Sequence, residues 1–285
     1  MGKPITSFIS RSVQRRLDPE VLKRLKNIRH NFNEYGYDPW GMHPDYLLRF
    51  ALAFKPLYDK YFRVETYGLK NLPEGRVLLI ANHSGQVPID GVMIALALLF
   101  EADPPRFARA MVEYFAWQLP FVSTAFARLG QVIGTPENCR RLLDADETIL
   151  VFPEGVNGIS QPFNKRYQLQ KFGTGFMRLA LDSKTPIVPV AVIGCEEMVP
   201  GIGRLPVPKG LGIPYVPLTA TFPWLGPLGM IPFPAKVRLY FGEPMEFKGE
   251  PNDEDVIVER KVKRVRMRLQ SMLNDGVKRR EHVFW

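Results

Sequence analysis

The stretch Val77-Leu78-Leu79-Ile80-Ala81-Asn82-His83-Ser84-Gly85 runs straight from an unbroken apolar segment into a polar, glycine-containing loop. A strand with one wet face alternates apolar and polar side chains, whereas a continuous apolar run suits a strand buried on both faces. Thr148-Ile149-Leu150-Val151-Phe152 and Ile187-Val188-Pro189-Val190-Ala191-Val192-Ile193 repeat the pattern, with helical segments between them around residues 90–100, 115–128, 137–144 and 174–182. Strands separated by helices predict an α/β fold: a mainly parallel central sheet covered by helices on both faces. Ligands of such sheets sit beyond the carboxyl ends of the strands. That rule brings Ala81-Asn82-His83-Ser84-Gly85 and Pro153-Glu154-Gly155 to one edge.

Outward from this core the pattern changes. Residues 1–62 read as an N-terminal amphipathic helical segment. Between Tyr46 and Phe62, Leu47, Leu48, Phe50, Ala51, Leu52, Phe54, Leu57, Tyr58 and Tyr61 make a wide apolar face edged by Arg49, Lys55 and Lys60. That face either lies in a membrane interface or packs on the domain. Residues 63–250 form the α/β domain. Within it, 198–236 is rich in proline and glycine yet apolar, which predicts an irregular excursion. Its Trp224, Leu225, Leu228, Met230, Ile231 and Phe233 touch lipid, line an acyl channel or cover the core. A strand at Lys236 to Phe241 precedes residues 251–285, a basic amphipathic helix. Val258, Val262, Val265, Leu269 and Met272 mark its buried stripe, and Arg260, Lys261, Lys263, Arg264, Arg266 and Arg268 its other faces.

A 46% hydrophobic and 24% charged composition over 285 residues is that of a globular chain and excludes a disordered or fibrous one. The net charge of +9 points to an anionic partner surface. No zinc-finger spacing or aromatic RNA-binding signature accompanies it, so a membrane surface is expected and nucleic acid is not. The longest fully apolar run, Gly91 to Phe100, is about half the roughly 20 residues of a membrane-spanning helix. With no apolar signal core either, the expected place is peripheral, on the cytoplasmic side of a membrane. Gly2 and Thr6 fit the loose Met-Gly-x-x-x-Thr myristoylation pattern. Cys139 and Cys195 are too few for a disulfide framework and are expected as buried thiols. No metal site is expected, and nothing in the chain speaks to oligomeric state.

The chemistry concentrates at Asn82-His83-Ser84-Gly85-Gln86-Val87-Pro88-Ile89-Asp90-Gly91 and Phe152-Pro153-Glu154-Gly155. Histidine titrates near neutrality and is the usual general base, and a carboxylate at the start of the next helix can hold its tautomer and its charged form. A substrate hydroxyl can then attack without a serine nucleophile, and a thiolate leaving group, with a thiol pKa of about 8.5, needs little acid assistance.

In this order and spacing the chain resembles the glycerolipid and lysophospholipid acyltransferase family. The family's blocks are His-(x)4-Asp, a glycine-containing acceptor block, Phe-Pro-Glu-Gly and a Pro-Ile/Val-Val-Pro-Val strand. Here they read His83 to Asp90, Leu129-Gly130-Gln131-Val132-Ile133-Gly134, Phe152-Pro153-Glu154-Gly155 and Pro186-Ile187-Val188-Pro189-Val190, across roughly residues 65 to 245. The resemblance implies that His83 takes the acceptor's proton and Asp90 orients it. Phe152, Pro153, Glu154, Gly155, Gly134 and Thr135 would serve the acceptor, and Val188 and Pro189 the floor of the acyl pocket. It also implies a lipid acceptor, acyl-CoA or acyl carrier protein as co-substrate, and no resident cofactor.

Two departures matter. Six residues instead of four separate His83 from Asp90, so the carboxylate must be brought back through Ser84-Gly85; otherwise Asp90 is only a helix cap. Where phosphate-binding members carry arginines, this chain has Gly134-Thr135-Pro136 and Val156-Asn157-Gly158, a pattern nearer the monoacylglycerol and diacylglycerol acyltransferase branch. Arg140, Lys165, Arg166 and Lys171 are the substitute cations nearest in sequence, for the acceptor, for coenzyme A phosphates or for a membrane. The expected activity is acyl transfer from a thioester to a glycerolipid hydroxyl. The alternatives are a catalytically silent membrane-binding module on the same scaffold and a thioesterase or lipid hydrolase.

Overall fold

The computed structural model describes residues 3–26, 28–207 and 215–285. The three apolar runs become β2 (Val77–Ala81), β5 (Thr148–Val151) and β6 (Ile187–Ile193). They lie side by side at the middle of a seven-stranded sheet, where Leu79 of β2 is flanked by Leu150 and Val188 in parallel register. The other members are β1 (Glu65–Tyr67), β3 (Ala108–Val112), β4 (Val132–Ile133) and β9 (Arg238–Phe241), giving the order β1-β9-β6-β2-β5-β3-β4. The numbers β7 and β8 belong to a separate ribbon, Gly201–Leu205 and Val216–Thr219.

Strands from β6 through β4 are parallel, while β9 runs antiparallel to β6 and β1 parallel to β9. The reversal follows from the 198–236 excursion. The chain leaves β6 at its carboxyl edge and re-enters the sheet from that same edge, so β9 must run back.

Each central strand is buried on both faces because its alternate residues enter two different cores. Leu79, Ala81, Leu150, Val188, Val190 and Val192 pack toward α3 (Ile89–Phe100) and the N-terminal segment. Leu78, Ile80, Ile149, Ile187, Ala191 and Ile193 pack toward α4 (Pro136–Asp144), α5 (Gly175–Ser183) and α6 (Asp255–Arg279). That alternation is the pleat itself.

Several expectations are revised. The 1–62 segment holds α1 (Pro19–Lys26) and α2 (Pro44–Pro56) but also a short antiparallel ribbon, Lys3–Pro4 with Arg29–His30. The apolar face of α2 packs on the domain: Leu48 and Ala51 are buried, and Leu47, Leu52 and Phe54 pack against the core. Thr6 lies in the turn Ile5–Phe8, and Gly2 is outside the described residues. The helix expected over 115–128 is two, Tyr114–Trp117 and Val122–Arg128, interrupted at Phe121 with φ +63°. Pro120 explains the break, since it has no N–H to give and pushes its predecessor out of helical conformation. Part of the 198–236 excursion is the ordered ribbon β7–β8, whose strands are both edges and so tolerate Pro217. On α6 the fifth buried position is Leu273, with Met272 half-buried. Arg266 turns inward, its guanidinium donating to the carbonyls of Leu169 and Gln170.

The N-terminal segment is fastened to the sheet by a buried charge cluster. The guanidinium of Arg109, fully buried on β3, lies 2.6 Å from Asp38 Oδ2, 3.0 Å from Glu147 Oε1 and 3.1 Å from His30 Nε2.

Candidate active site

The loop leaving β2 begins with a residue that extends the sheet by its side chain. Asn82 donates to Val192 O at 3.0 Å and accepts from Val192 N at 2.8 Å, taking the place of a backbone rung. His83 is therefore set at the carboxyl edge of the sheet. Gly85 (φ +87°) and Gln86 (φ +60°) then both adopt left-handed backbone, and this double reversal returns the chain to the start of α3. A side chain at Gly85 would run into the carbonyl of Cys195.

The detour closes. Asp90, fully buried in the first turn of α3, places Oδ2 2.8 Å from His83 Nδ1 and accepts the Ser84 N–H at 2.8 Å. An ionised carboxylate only accepts, so Nδ1 carries the proton and the neutral ring leaves Nε2 with its lone pair. Among the described residues nothing hydrogen-bonds Nε2. The ring stacks on Phe152, centroids 4.2 Å apart and planes 22° from parallel.

Phe152-Pro153-Glu154-Gly155 is a tight turn directly after β5, closed by Gly155 N–H donating to Phe152 O at 3.0 Å. Gly155 has φ +55° and ψ −145°, a conformation open essentially to glycine alone. Glu154 is buried and both its oxygens are occupied, accepting the backbone N–H of His83 at 3.2 Å and of Gln170. Burial lifts its carboxyl above the ordinary range, against the opposing pull of these N–H groups and of the Arg266 charge. Glu154 thus holds the His83 backbone; the acceptor contact that the resemblance implies would be made from this same position. Its geometry is that of a positioning residue.

The remaining expected residues divide. Pro153 O accepts the Gly173 N–H at 3.0 Å, which draws Lys171, exposed, beside the turn. Gly134 and Thr135 follow β4 at the same edge, but the Thr135 hydroxyl caps α4 by accepting from Asn138 N at 3.2 Å. Arg140 faces away along α4, paired with Asp182 at 2.7 Å. Lys165 and Arg166 sit on the turn Phe163–Lys165 and just after it, Arg166 4.0 Å from Glu197. Val188 and Pro189 are buried in β6, where Pro189 O accepts from Gly242 at 2.9 Å. Cys139 and Cys195 are buried thiols, and burial raises the pKa of each.

Four residues carry the site without having stood out in the sequence. Gly158 lies flat against the loop: a Cβ there would be 2.8 Å from Glu154 Cβ and 3.1 Å from His83 Cβ. Gln161 accepts the Gln86 side-chain amide on its carbonyl at 3.2 Å. Arg204, from the excursion, reaches Ser160 Oγ at 3.2 Å at the end of the short helix Val156–Ile159 and brings a cation near the place where the expected arginine is missing. Glu196 lies buried beneath the loop and is lifted to about 8, first by burial and then by the nearby carboxylates of Glu197, Glu154 and Asp90. A glycine or glutamine gives no local signal of this kind. Among the described residues no group of three or more His, Cys, Asp or Glu is placed to hold a metal ion, and no helix is long and apolar enough to cross a membrane.

The family model described as Acyltransferase matches residues 63–193. An uncharacterised protein of Mycobacterium leprae is 35% identical over 262 residues, covering 90% of this chain and 70% of its own. The chain belongs to the acyltransferase family. A Mycobacterium tuberculosis relative is 34% identical over 88% of this chain and 72% of its own. A chicken protein named "DGAT1/2-independent enzyme synthesizing storage lipids" is 26% identical over 89% of this chain and 70% of its own. The crystal structure of the 1-acyl-sn-glycerophosphate acyltransferase PlsC from Thermotoga maritima aligns with a TM-score of 0.48 and 19% identity, over 81% of this chain and 82% of that one. The acyltransferase match contains His83, Asp90 and Glu154 and ends with β6, so the 198–236 excursion and α6 lie outside it.

Proposed function

We propose that the chain moves a fatty acyl group from a thioester donor, acyl-CoA or acyl carrier protein, to the hydroxyl of a glycerolipid at a membrane surface, with His83 as general base. The observation that carries this reading is the 2.8 Å contact of His83 Nδ1 with a fully buried Asp90 carboxylate, with Nε2 left uncommitted at the carboxyl edge of the sheet. Nε2 takes the proton of the acceptor hydroxyl as its oxygen attacks the thioester carbonyl. The tetrahedral intermediate collapses by breaking the C–S bond, and the thiolate leaves, recovering the proton from the imidazolium. Asp90 offsets the ring's charge while it lasts. A thiol of pKa about 8.5 leaves without metal or cofactor assistance.

The acceptor favoured by this chain is neutral. Gly134-Thr135-Pro136 and Val156-Asn157-Gly158 stand where phosphate-binding members carry arginines, and the chicken relative's name refers to storage lipids. A peripheral site on an anionic membrane fits the net charge of +9. The silent-module alternative requires Asp90 out of reach of His83, contrary to the distance above. A serine-nucleophile hydrolase would require an accessible Ser84, whose hydroxyl is buried and without a partner among the described residues; hydrolysis by a His83-activated water is distinguished by release of free fatty acid in place of labelled acceptor.

The test is transfer of radiolabelled acyl groups from acyl-CoA to lysophosphatidic acid, other lysophospholipids, monoacylglycerol and diacylglycerol, with wild type and His83→Ala side by side. Label in a neutral acceptor with the wild type alone is the expected result. Equal turnover by folded His83→Ala would remove the histidine from the mechanism.

A further inference from the structure

Residues 221–235 read Thr-Phe-Pro-Trp-Leu-Gly-Pro-Leu-Gly-Met-Ile-Pro-Phe-Pro-Ala, fifteen positions without an ionisable side chain. In the structure they form a knob that turns its large apolar groups outward. Trp224 is 73% exposed, Leu225 60%, Leu228 69% and Ile231 57%, while Met230 points inward against the core. Protein surfaces rarely present so many large apolar groups together without a partner.

The knob is braced. Thr221 Oγ1 donates to Gly229 O at 2.7 Å, Leu225 N to Thr221 O at 2.9 Å and Phe222 N to Thr219 Oγ1 at 2.8 Å. Phe233 N donates to Met198 O at 2.7 Å, and Tyr61 Oη donates to Pro232 O at 2.8 Å. Its polar backbone groups are thus largely engaged within the fold, as entry into a medium without hydrogen-bond partners requires.

Cations stand at the base of the knob. Arg63 is fixed at its base, donating to Pro234 O and to Phe284 O, and Lys60 is exposed beside Tyr61. Two nearby carboxylates are paired with cations, Glu65 with Lys236 at 2.5 Å and Arg238 at 3.3 Å and Asp59 with Lys55 at 2.7 Å, while Glu101 accepts from the hydroxyls of Tyr58 and Thr66. A second tryptophan, Trp285, 76% exposed, follows Phe284 on this side. Exposed tryptophan and aliphatic groups with Arg63 and Lys60 at their base match the interface of an anionic bilayer.

The knob is also joined to the site. The excursion that bears it begins beside the His83 loop, where Gly201 packs on the Gln86 side chain and Arg204 reaches Ser160. We propose that the 221–235 knob is the element that enters the headgroup region of an anionic bilayer and brings the His83 edge to its lipid acceptor, which rests on the function proposed above. Neither α2, whose apolar face is packed, nor the basic face of α6 offers an exposed apolar cluster of this size.

Vesicles of phosphatidylcholine, with and without phosphatidylglycerol, test this in a flotation assay with the full chain. Trp224→Ser, Leu225→Ser and Leu228→Ser combined should lower partitioning at least about tenfold. Circular dichroism and transfer to a short-chain, monomerically dissolved diacylglycerol should stay at wild-type values. Brominated lipid should quench a component of the tryptophan emission that Trp224→Phe removes. Wild-type partitioning by the triple variant, or no vesicle binding by the wild type, overturns the proposal. Loss of transfer to the soluble acceptor makes the knob an acyl-channel wall instead, and a dimer turned monomer with vesicle binding unaltered makes its occupant a second copy. Vesicle binding through the knob without any transfer to the soluble acceptor would leave the docking standing and defeat the function reading.

Discussion

Asp90→Asn separates orientation from charge at the proposed base. Asp90 Oδ2 takes two donors, the His83 ring N–H and the Ser84 backbone N–H, each at 2.8 Å. An asparagine oxygen in that place still accepts both, and its NH2 then faces the Gly91 N–H that Oδ1 accepts at 2.7 Å, whereas the flipped amide would face the Ser84 N–H and donate to the ring. With the oxygen at the Oδ2 place, the arrangement expected here, the ring keeps the tautomer that leaves Nε2 free. In the serine protease triad the same substitution costs about 10⁴ in turnover through the wrong tautomer, a loss not expected here. What disappears is the charge: a hydrogen bond to an ionised group contributes about 1.5–3 kcal/mol against about 0.5–1.5 for a neutral one. A difference of about 1.5 kcal/mol, larger as imidazolium builds up, predicts a ten- to hundredfold fall in kcat, at about 1.4 kcal/mol per tenfold. The assay is kcat and kcat/KM on a soluble acceptor for Asp90→Asn beside His83→Ala. A loss equal to that of His83→Ala would mean the amide flips and the tautomer argument fails. Unchanged kcat would mean that the Asp90 charge plays no part.

Three further outcomes are expected. Arg109→Met leaves Asp38 and Glu147 buried without their cation and should cost about 3–5 kcal/mol in urea-induced unfolding at pH 7, with Asp38→Asn in the same background recovering part of it. Glu196 is raised to about 8 in the folded chain, so the fold binds its proton more tightly than the unfolded chain does. Its contribution is full below the ordinary glutamate range and lost as pH rises through about 8, so Glu196→Gln should gain stability over wild type at pH 9 and none at pH 4 by chemical denaturation. Gly158→Ala drives a methyl to within 2.8 Å of Glu154 Cβ and 3.1 Å of His83 Cβ, and should lower kcat by about tenfold or more with a smaller change in KM; a wild-type kcat would show the loop tolerates the displacement.

The parallel core was legible because burial on both faces leaves a continuous apolar run, a property each strand carries in its own residues. Val77–Ala81, Thr148–Val151 and Ile187–Ile193 needed no knowledge of one another. The order of the motif blocks likewise named His83, and the crevice rule assigned it to the edge it shares with Phe152-Pro153-Glu154-Gly155. Tertiary structure alone decided what these groups do together. Whether six intervening residues return Asp90 to His83 depended on left-handed backbone at Gly85 and Gln86, held where Gly85 meets Cys195 more than a hundred residues away. The role of Glu154 depended on the N–H groups of His83 and Gln170, and the fate of the α2 apolar face on the core beneath it. β9 ran backward because an excursion began and ended at one edge. Apolar periodicity is written along the chain, but a hydrogen bond between distant residues exists only after the chain has closed on itself, and the site is made of such bonds.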